Sequence, residues 1–219
     1  MITPKEIEAY CEEHTSEQNA IFADLKAATL SFAPQVAHMQ VGKLEGQFLS
    51  FFAKALGAKR ILEFGTFTGC SSLHFALSIP EGGLITTLDR DPKAVSIAQE
   101  FWVKASVQNK IESILGDAKA SAKKIEQEIH SGHRASYDLA FIDADKGGYR
   151  DYFEASLRLV KKGGWILVDN VLWSGRVLNP KDPSDHTLHE FNQNCRADPR
   201  IEHLLLPLRD GIMVCRIKG

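Results

Sequence analysis

The sequence predicts an α/β protein: a mostly parallel sheet with helices on both faces, closed by an antiparallel hairpin. Three observations predict it. From residue 60 onward, short apolar runs alternate with helical stretches, the pattern of strand–helix units in a parallel sheet. Several of those runs stop abruptly at carboxylates or glycines, as buried strands do where they deliver polar groups to the ligand-binding edge of an open sheet. Near the C-terminus, Arg209-Asp210-Gly211 separates two further apolar runs, and an Asp-Gly turn there reads as a hairpin.

The elements follow in order. Thr3-Pro4-Lys5-Glu6 is a helix start, with Thr3 as cap, Pro4 in the first turn and Glu6 completing a capping box. Helices are expected over about Pro4 to His14, Glu17 to Leu30 and, after a loop with Pro34, Leu44 to Leu56. Arg60 to Phe64 is a strand, followed by a glycine-bearing turn and a helix over Ser71 to Leu77. Leu84 to Leu88 is a strand ending in Asp89, and Pro92 opens a helix that runs to about Ala105. The strand Ile111 to Leu115 precedes the helix Ala118 to Ile129. Leu139 to Ile142 precedes the helix from about Tyr149 to Val160, and Trp165 to Val168 is the next strand. His203 to Leu208 and Ile212 to Ile217 form the closing hairpin, while the segment Trp173 to Asp185 reads as an insertion loop. A chain of 219 residues suits one domain with a substantial core. The expected organisation is a single domain over 1–219, with a helical N-terminal extension over 1–43 and the core over 44–219.

Composition narrows the function classes. The formal net charge is -2, which argues against an extended nucleic-acid surface and leaves a small RNA target open. Cys11, Cys70, Cys195 and Cys215 form no CxxC pair, so reduced thiols in a cytoplasmic protein are expected. The first residues run into Lys5 and Glu6 rather than an apolar core, so no signal peptide is expected, and no apolar run is long enough to span a bilayer. The eight histidines offer no HExxH, and His186/His189 lack a third ligand in sequence, so zinc is not expected. There is no GxSxG nucleophile elbow.

Two acidic clusters carry the chemistry. Asp138-Leu139-Ala140-Phe141-Ile142-Asp143-Ala144-Asp145-Lys146 and Gly164-Trp165-Ile166-Leu167-Val168-Asp169-Asn170 each end an apolar run in polar groups. Asp143, Asp169 and Asn170 are hard oxygen donors suited to Mg²⁺, Ca²⁺ or Mn²⁺. Asp145 reads either as an outer-sphere partner or as a helix cap. Lys146 stands beside them, and a divalent ion next to a lysine suggests chemistry on an oxygen nucleophile. Trp173 and Tyr149 are candidates for an aromatic pocket, or for ordinary packing. A second set follows the earlier strands. Glu63-Phe64-Gly65-Thr66-Phe67-Thr68-Gly69-Cys70-Ser71 places glycines and a helix N-terminus after the first strand, with Gly-x-x-x-Gly spacing rather than GxGxxG. Asp89 is placed to hydrogen-bond ribose hydroxyls, and Gly116-Asp117-Ala118 to contact an adenine. Each of these alone is as readily a turn or a cap. In this order, at successive strand ends, they favour an adenosine-type cofactor.

These residues carry a resemblance. Leu62-Glu63-Phe64-Gly65-Thr66-Phe67-Thr68-Gly69, Phe141-Ile142-Asp143-Ala144-Asp145-Lys146 and Val168-Asp169-Asn170-Val171-Leu172-Trp173 resemble the motifs of the cation-dependent, S-adenosylmethionine-dependent O-methyltransferases, the caffeoyl-CoA and catechol group with its small bacterial members. The resemblance runs from about Met39 to the C-terminus. It implies a Rossmann-like, seven-stranded sheet with a reversed C-terminal hairpin. It implies that Asp143, Asp169 and Asn170 bind a divalent metal, with Mg²⁺ the expected ion, and that Lys146 takes the proton of the acceptor hydroxyl. For S-adenosylmethionine, and its product S-adenosylhomocysteine, it implies contacts from Met39, Val41, Glu63, Gly65, Thr66, Ser71, Asp89, Asp117, Ala118 and Asp143. Family members are commonly dimers, so a homodimer is expected. Cys70 departs from the family, where many relatives carry tyrosine.

The expected reaction is methyl transfer to one hydroxyl of a vicinal diphenol of the catechol or caffeoyl kind. A tRNA hydroxyuridine O-methyltransferase on the same fold is the nearest rival. An NAD-dependent oxidoreductase would suit Asp89 but not the absent GxGxxG or the Asp169-Asn170 pair. A non-catalytic binding domain would have no need of a metal beside a lysine.

Overall fold

The computed structural model describes residues 2–219; Met1, the first residue of the expected N-terminal extension, lies outside them. Seven strands form one mixed sheet in the order β3-β2-β1-β4-β5-β7-β6, a Rossmann-like arrangement with helices on both sides. By its contacts the chain divides into two compact units.

The first unit is Glu6–Asp117. It carries α1 (Lys5–Glu13, which begins one residue before the unit), α2 (Ile21–Phe32), α3 (Lys43–Leu56), β1 (Arg60–Phe64), α4 (Cys70–Ala76), β2 (Leu84–Asp89), α5 (Pro92–Lys104) and β3 (Ile111–Leu115). β2 pairs in parallel with both β1 and β3, as strand–helix–strand connections require. Local chemistry sets the helix ends. Asp91 caps α5 through Lys93 N at 2.9 Å and Ala94 N at 3.4 Å, with Pro92 supplying the fixed φ of a first turn. Gly69, at φ 80°, ends the β1–α4 turn, and a Cβ there would lie 2.6 Å from Ala98 Cβ. Both the conformation and the close approach therefore require glycine.

A buried histidine sits on α4. The His74 ring stacks on Phe22 with centroids 4.0 Å apart, 3.2 Å from Gln18 Nε2 and 3.1 Å from Ser50 Oγ. Gln18 Nε2 can only donate to His74 Nε2, so the Nδ1–H tautomer fits, and the Ser50 hydroxyl passes its own proton to the His74 carbonyl. Burial pushes the His74 pKa down from 6.5 to about 3. Below pH 6.5 the unfolded chain therefore binds a proton that the folded chain refuses. Stability is complete above that pH and falls as the pH drops toward 3, by at most about 1.4 kcal/mol per unit. Urea midpoints at pH 7 and pH 5 should separate more in the wild type than in His74→Gln; equal separations would take His74 out of the acid response.

The second unit is Ala118–Gly219 with the first residues up to Lys5. It carries α6 (Ala118–His130), β4 (Tyr137–Ile142), α7 (Tyr149–Leu159), β5 (Val160–Val168), α8 (Pro183–Ala197), β6 (Ile201–Leu206) and β7 (Ile212–Ile217). β4 and β5 are parallel, whereas β7 runs antiparallel to both β5 and β6, so the closing hairpin enters the sheet reversed as expected. Several boundaries differ from the sequence pattern: α2 begins at Ile21 rather than Glu17, and β4 at Tyr137 rather than Leu139. β5 begins at Val160, well before Trp165, because Lys161-Lys162-Gly163-Gly164 continues the strand with Gly163 at φ 74°; the β4–β5 register shifts between Tyr137 and Leu139. β6 begins at Ile201, two residues before the expected start at His203, and stops at Leu206, two residues before the expected end at Leu208.

The larger difference is α8, which the sequence pattern did not single out. Its start is written in the chain: Asp182 is the N-cap, Pro183 stands in the first turn, and Asp185 closes a capping box. Leu188, Phe191 and Cys195 form its buried face, with Phe191 edge-on to Tyr149 at 6.0 Å and Phe153 at 5.4 Å. Among the described residues no helix is long and apolar enough to cross a membrane.

Candidate active site

In the first unit, the expected donor-side residues gather on the loop after β1. Gly65 has φ 96° and Phe67 φ 48°, so the loop turns sharply. Asp89, at the end of β2, holds that turn: its Oδ2 accepts from the amides of Thr66 at 2.9 Å and Phe67 at 2.8 Å, and its Oδ1 from Asp91 N at 2.9 Å. A carboxylate has about four acceptor positions, so Asp89 keeps about one for a ligand hydroxyl, on Oδ1. Below the loop, Thr66 and Thr87 share a hydroxyl bond of 2.6 Å. The fully buried Glu63 accepts from Thr87 Oγ1 at 2.6 Å and from the Ser72 hydroxyl. Ser71, in the first turn of α4, is buried.

Met39 and Val41 are joined to the same loop by residues the sequence reading did not single out. Gln40 Nε2 donates to Thr29 Oγ1 at 2.9 Å and Thr68 Oγ1 at 3.4 Å, and Thr29 and Thr68 bond each other at 2.8 Å. Cys70 Sγ lies 3.5 Å from the Val41 carbonyl, a second tie between this segment and the loop. Val41 is buried, while Met39 is 59 % exposed. Gly116 N bonds the Asp89 carbonyl at 2.8 Å, which sets Asp117 just beyond β3, exposed at the surface. Ala118 is the first residue of α6 in the second unit.

In the second unit, Asp143, Lys146, Asp169 and Asn170 come together. Asp143 follows β4 and Asp169 follows β5, neighbouring parallel strands. Asp169 is 3 % exposed, and its Oδ1 accepts from Asn170 N at 2.6 Å. Asn170 has φ 58°, a left-handed conformation that asparagine tolerates better than most residues. Lys146 Nζ donates to Asn170 Oδ1 at 2.6 Å and to the Tyr149 hydroxyl, and lies 3.6 Å from Asp143 Oδ1. Tyr149, fully buried, donates onward to the Asp169 carbonyl at 3.0 Å. The ammonium is thus fixed by a tyrosine that the sequence reading held only as a possible pocket wall. Asp145 Oδ1 accepts from the Tyr152 hydroxyl at 2.7 Å and makes no side-chain cap.

The donor set Asp143, Asp169 and Asn170 is all oxygen, and its carboxylates balance a divalent charge. A cation, the Lys146 ammonium, already rests against Asn170 and Asp143. These residues fit a hard divalent ion. Among the described residues no three His, Cys, Asp or Glu side chains form a metal-holding group. The expected set, with its amide, is of a different composition.

Trp173 borders this cluster, with Lys146 Nζ 5.5 Å and the Arg176 guanidinium 4.8 Å from its ring centroid. Arg176 is held by the buried Asp185 at 3.3 Å and by Asp182 at 3.7 Å. Burial raises the Asp185 pKa, but the amides of Asp182 and Lys181, the Arg176 charge and the Trp173 side chain outweigh it, holding the carboxyl below the usual range. The expected insertion loop is therefore anchored by the first turn of α8.

The O-methyltransferase family profile matches residues 12–218, nearly the whole chain. The chain belongs to the O-methyltransferase family. As a member, it is a methyltransferase enzyme. A caffeoyl-CoA O-methyltransferase from Populus kitakamiensis is 37 % identical to this O-methyltransferase over 219 residues, covering 96 % of this chain and 90 % of its own. Two solved structures share its fold. An O-methyltransferase from Bacillus cereus in complex with SAH has a TM-score of 0.86 at 26 % identity, covering 97 % of each chain. The SAH-bound Podospora anserina methyltransferase PaMTH1 has a TM-score of 0.87 at 27 % identity, covering 100 % of this chain and 99 % of its own.

Proposed function

We propose that this O-methyltransferase uses a divalent cation, Mg²⁺ by preference, to carry a methyl group from S-adenosylmethionine to one hydroxyl of a vicinal diphenol. The carrying observation is Lys146 Nζ, bonded to Asn170 and Tyr149 and close to Asp143, beside the buried Asp169. Supporting it are the caffeoyl-CoA relative and the SAH-bound neighbours of the same fold.

In this reading Asp143, Asp169 and Asn170 hold the cation. A divalent ion bound there supplies Lewis acidity, which lowers the pKa of a coordinated hydroxyl. The residues do the remainder. Lys146, as the free amine, accepts the hydroxyl proton at Nζ, and Tyr149 and Asn170 keep Nζ in place for it. The phenolate oxygen forms its bond to the methyl carbon as the carbon–sulfur bond breaks, and that electron pair stays on sulfur as a neutral thioether. On the donor side Asp89 Oδ1 takes one ribose hydroxyl, with Met39, Val41, Gly65, Thr66 and Ser71 lining the cofactor, Glu63 supporting their loop from below, and Asp117 and Ala118 near the adenine. Asp143 borders the donor as well as the cation. Holding the two reactants in line supplies much of the acceleration.

Asp89→Ala should weaken SAH binding by about tenfold or more, since it removes a charged acceptor and frees the amides of Thr66 and Phe67. Calorimetry reads this directly, and unchanged affinity would remove Asp89 from the cofactor site. We also infer a homodimer, readable by sedimentation, and a cytoplasmic location, in keeping with four cysteines that form no CxxC pair in the sequence. The deciding experiment is transfer from labelled S-adenosylmethionine to catechols, caffeoyl esters and tRNA, with Mg²⁺ and with EDTA. Transfer to a diphenol that EDTA abolishes supports the proposal. Transfer to tRNA alone, or transfer indifferent to EDTA, overturns it.

A further inference from the structure

The backbone after the Asp169-Asn170 pair is held in an unusual shape. Trp173 and Ser174 have φ of 47° and 53°, close behind Asn170 at 58° and followed by Gly175 at 80°. A left-handed conformation costs a non-glycine residue about 1–2 kcal/mol, and such residues persist only where their surroundings over-determine them. Here the surroundings come from the β6–β7 turn. The Asp210 carboxylate, through Oδ1, accepts from the Ser174 amide. The Asp210 carbonyl accepts from Leu172 N at 2.9 Å, and the Gly211 carbonyl from Val171 N at 3.1 Å. Leu172 packs directly on Gly211, where a Cβ would lie 2.4 Å from Leu172 Cγ. The turn therefore clasps residues 171–174 by main chain, side chain and packing together. Of these, only the Asp210 carboxylate reaches Ser174.

We propose that Asp210 is a positioning residue for the acceptor: by holding Ser174 it fixes the Trp173 ring beside Lys146, and so sets where an aromatic acceptor lies relative to Nζ. This rests on the methyl-transfer reading above. Asp210 touches neither reactant, and acts through Ser174 and Trp173.

Two variants test it. Asp210→Ala removes the acceptor oxygen, whereas Asp210→Asn keeps one. Amide hydrogen exchange over residues 171–178 needs no substrate. It should quicken about tenfold in Asp210→Ala, the worth of one hydrogen bond to a charged group, and stay within about twofold of wild type in Asp210→Asn. Diphenol kcat/KM should fall about tenfold in Asp210→Ala and recover in Asp210→Asn, with SAH affinity unchanged in both. Unchanged exchange overturns the clasp. Faster exchange with unchanged kcat/KM overturns the positioning role. A parallel loss of SAH affinity and of kcat/KM marks a merely structural role and also overturns it. If the wild type methylates no phenol at all, the methyl-transfer reading falls and the positioning role falls with it; faster exchange then leaves Asp210 a clasp of the chain alone.

Discussion

Under the proposed methyl transfer, Lys146→Ala is expected to lower kcat by roughly 10²–10⁴-fold and to leave diphenol KM and SAH affinity within a few-fold, the signature of a proton acceptor that matters only as the hydroxyl reacts. The expectation follows from how the side chain is held. Lys146 is well covered, and its Nζ is fixed by Asn170 Oδ1 at 2.6 Å and by the Tyr149 hydroxyl. A solvated surface lysine would have neither partner. Steady-state kinetics with saturating Mg²⁺ check it. Lys146→Arg separates the proton acceptor from a merely positive group, because a guanidinium is never deprotonated in a protein and should be nearly as inactive as alanine. If arginine restores most of the rate, Lys146 supplies charge and not a base. A change confined to KM would give it a binding role instead.

With the proposed cation site, Asp169→Asn is expected to remove a response to added Mg²⁺ and to lower turnover by on the order of 10²-fold or more, beyond the 10–100-fold usual for losing an outer partner of a metal ligand. Asparagine is the informative substitution. Asp169 Oδ1 also accepts from Asn170 N at 2.6 Å, so alanine would strand that amide and disturb the left-handed Asn170 as well. Asparagine keeps the bond and removes the charge. Titration with Mn²⁺, followed by calorimetry without acceptor, should show the cation site weakened while SAH binding stays intact. Unaltered Mn²⁺ affinity would take Asp169 out of the ligand set, whatever happens to turnover.

Much of the candidate site was legible in the chain itself, for a local reason. Strands that are buried on both faces read as apolar runs, and the point where such a run stops is visible in one dimension. That is why Asp89, Asp143 and Asp169-Asn170 stood out at the ends of β2, β4 and β5. Tyr149 was ambiguous because a tyrosine opening a helix reads as packing, and only folding brings its hydroxyl between Lys146 and the Asp169 carbonyl. Gln40 was passed over because its partners, Thr29 and Thr68, lie 11 and 28 residues away along the chain. The helix α8 is the instructive miss. Its capping box is local and was available, but the polar stretch ahead of it reads as loop, and Leu188, Phe191 and Cys195 define a face only once Tyr149 and Phe153 stand against it.

By itself, then, the sequence determined the alternation of strands and helices, the reversed hairpin, the family and the identity of the polar groups at the strand ends. These are set by short-range patterns: period, turn chemistry and the abrupt end of apolar runs. The tertiary structure decided what those groups do for one another. It spends most of Asp89 on the amides of its own loop, ties the Met39–Val41 segment to Thr68 and Cys70, and draws the Lys146 ammonium onto Asn170. It also places Asp210 against Ser174, 36 residues earlier in the chain. Hydrogen bonds and ion pairs depend on distances in space, and residues far apart in sequence acquire those distances only when the sheet and its packed helices bring them together.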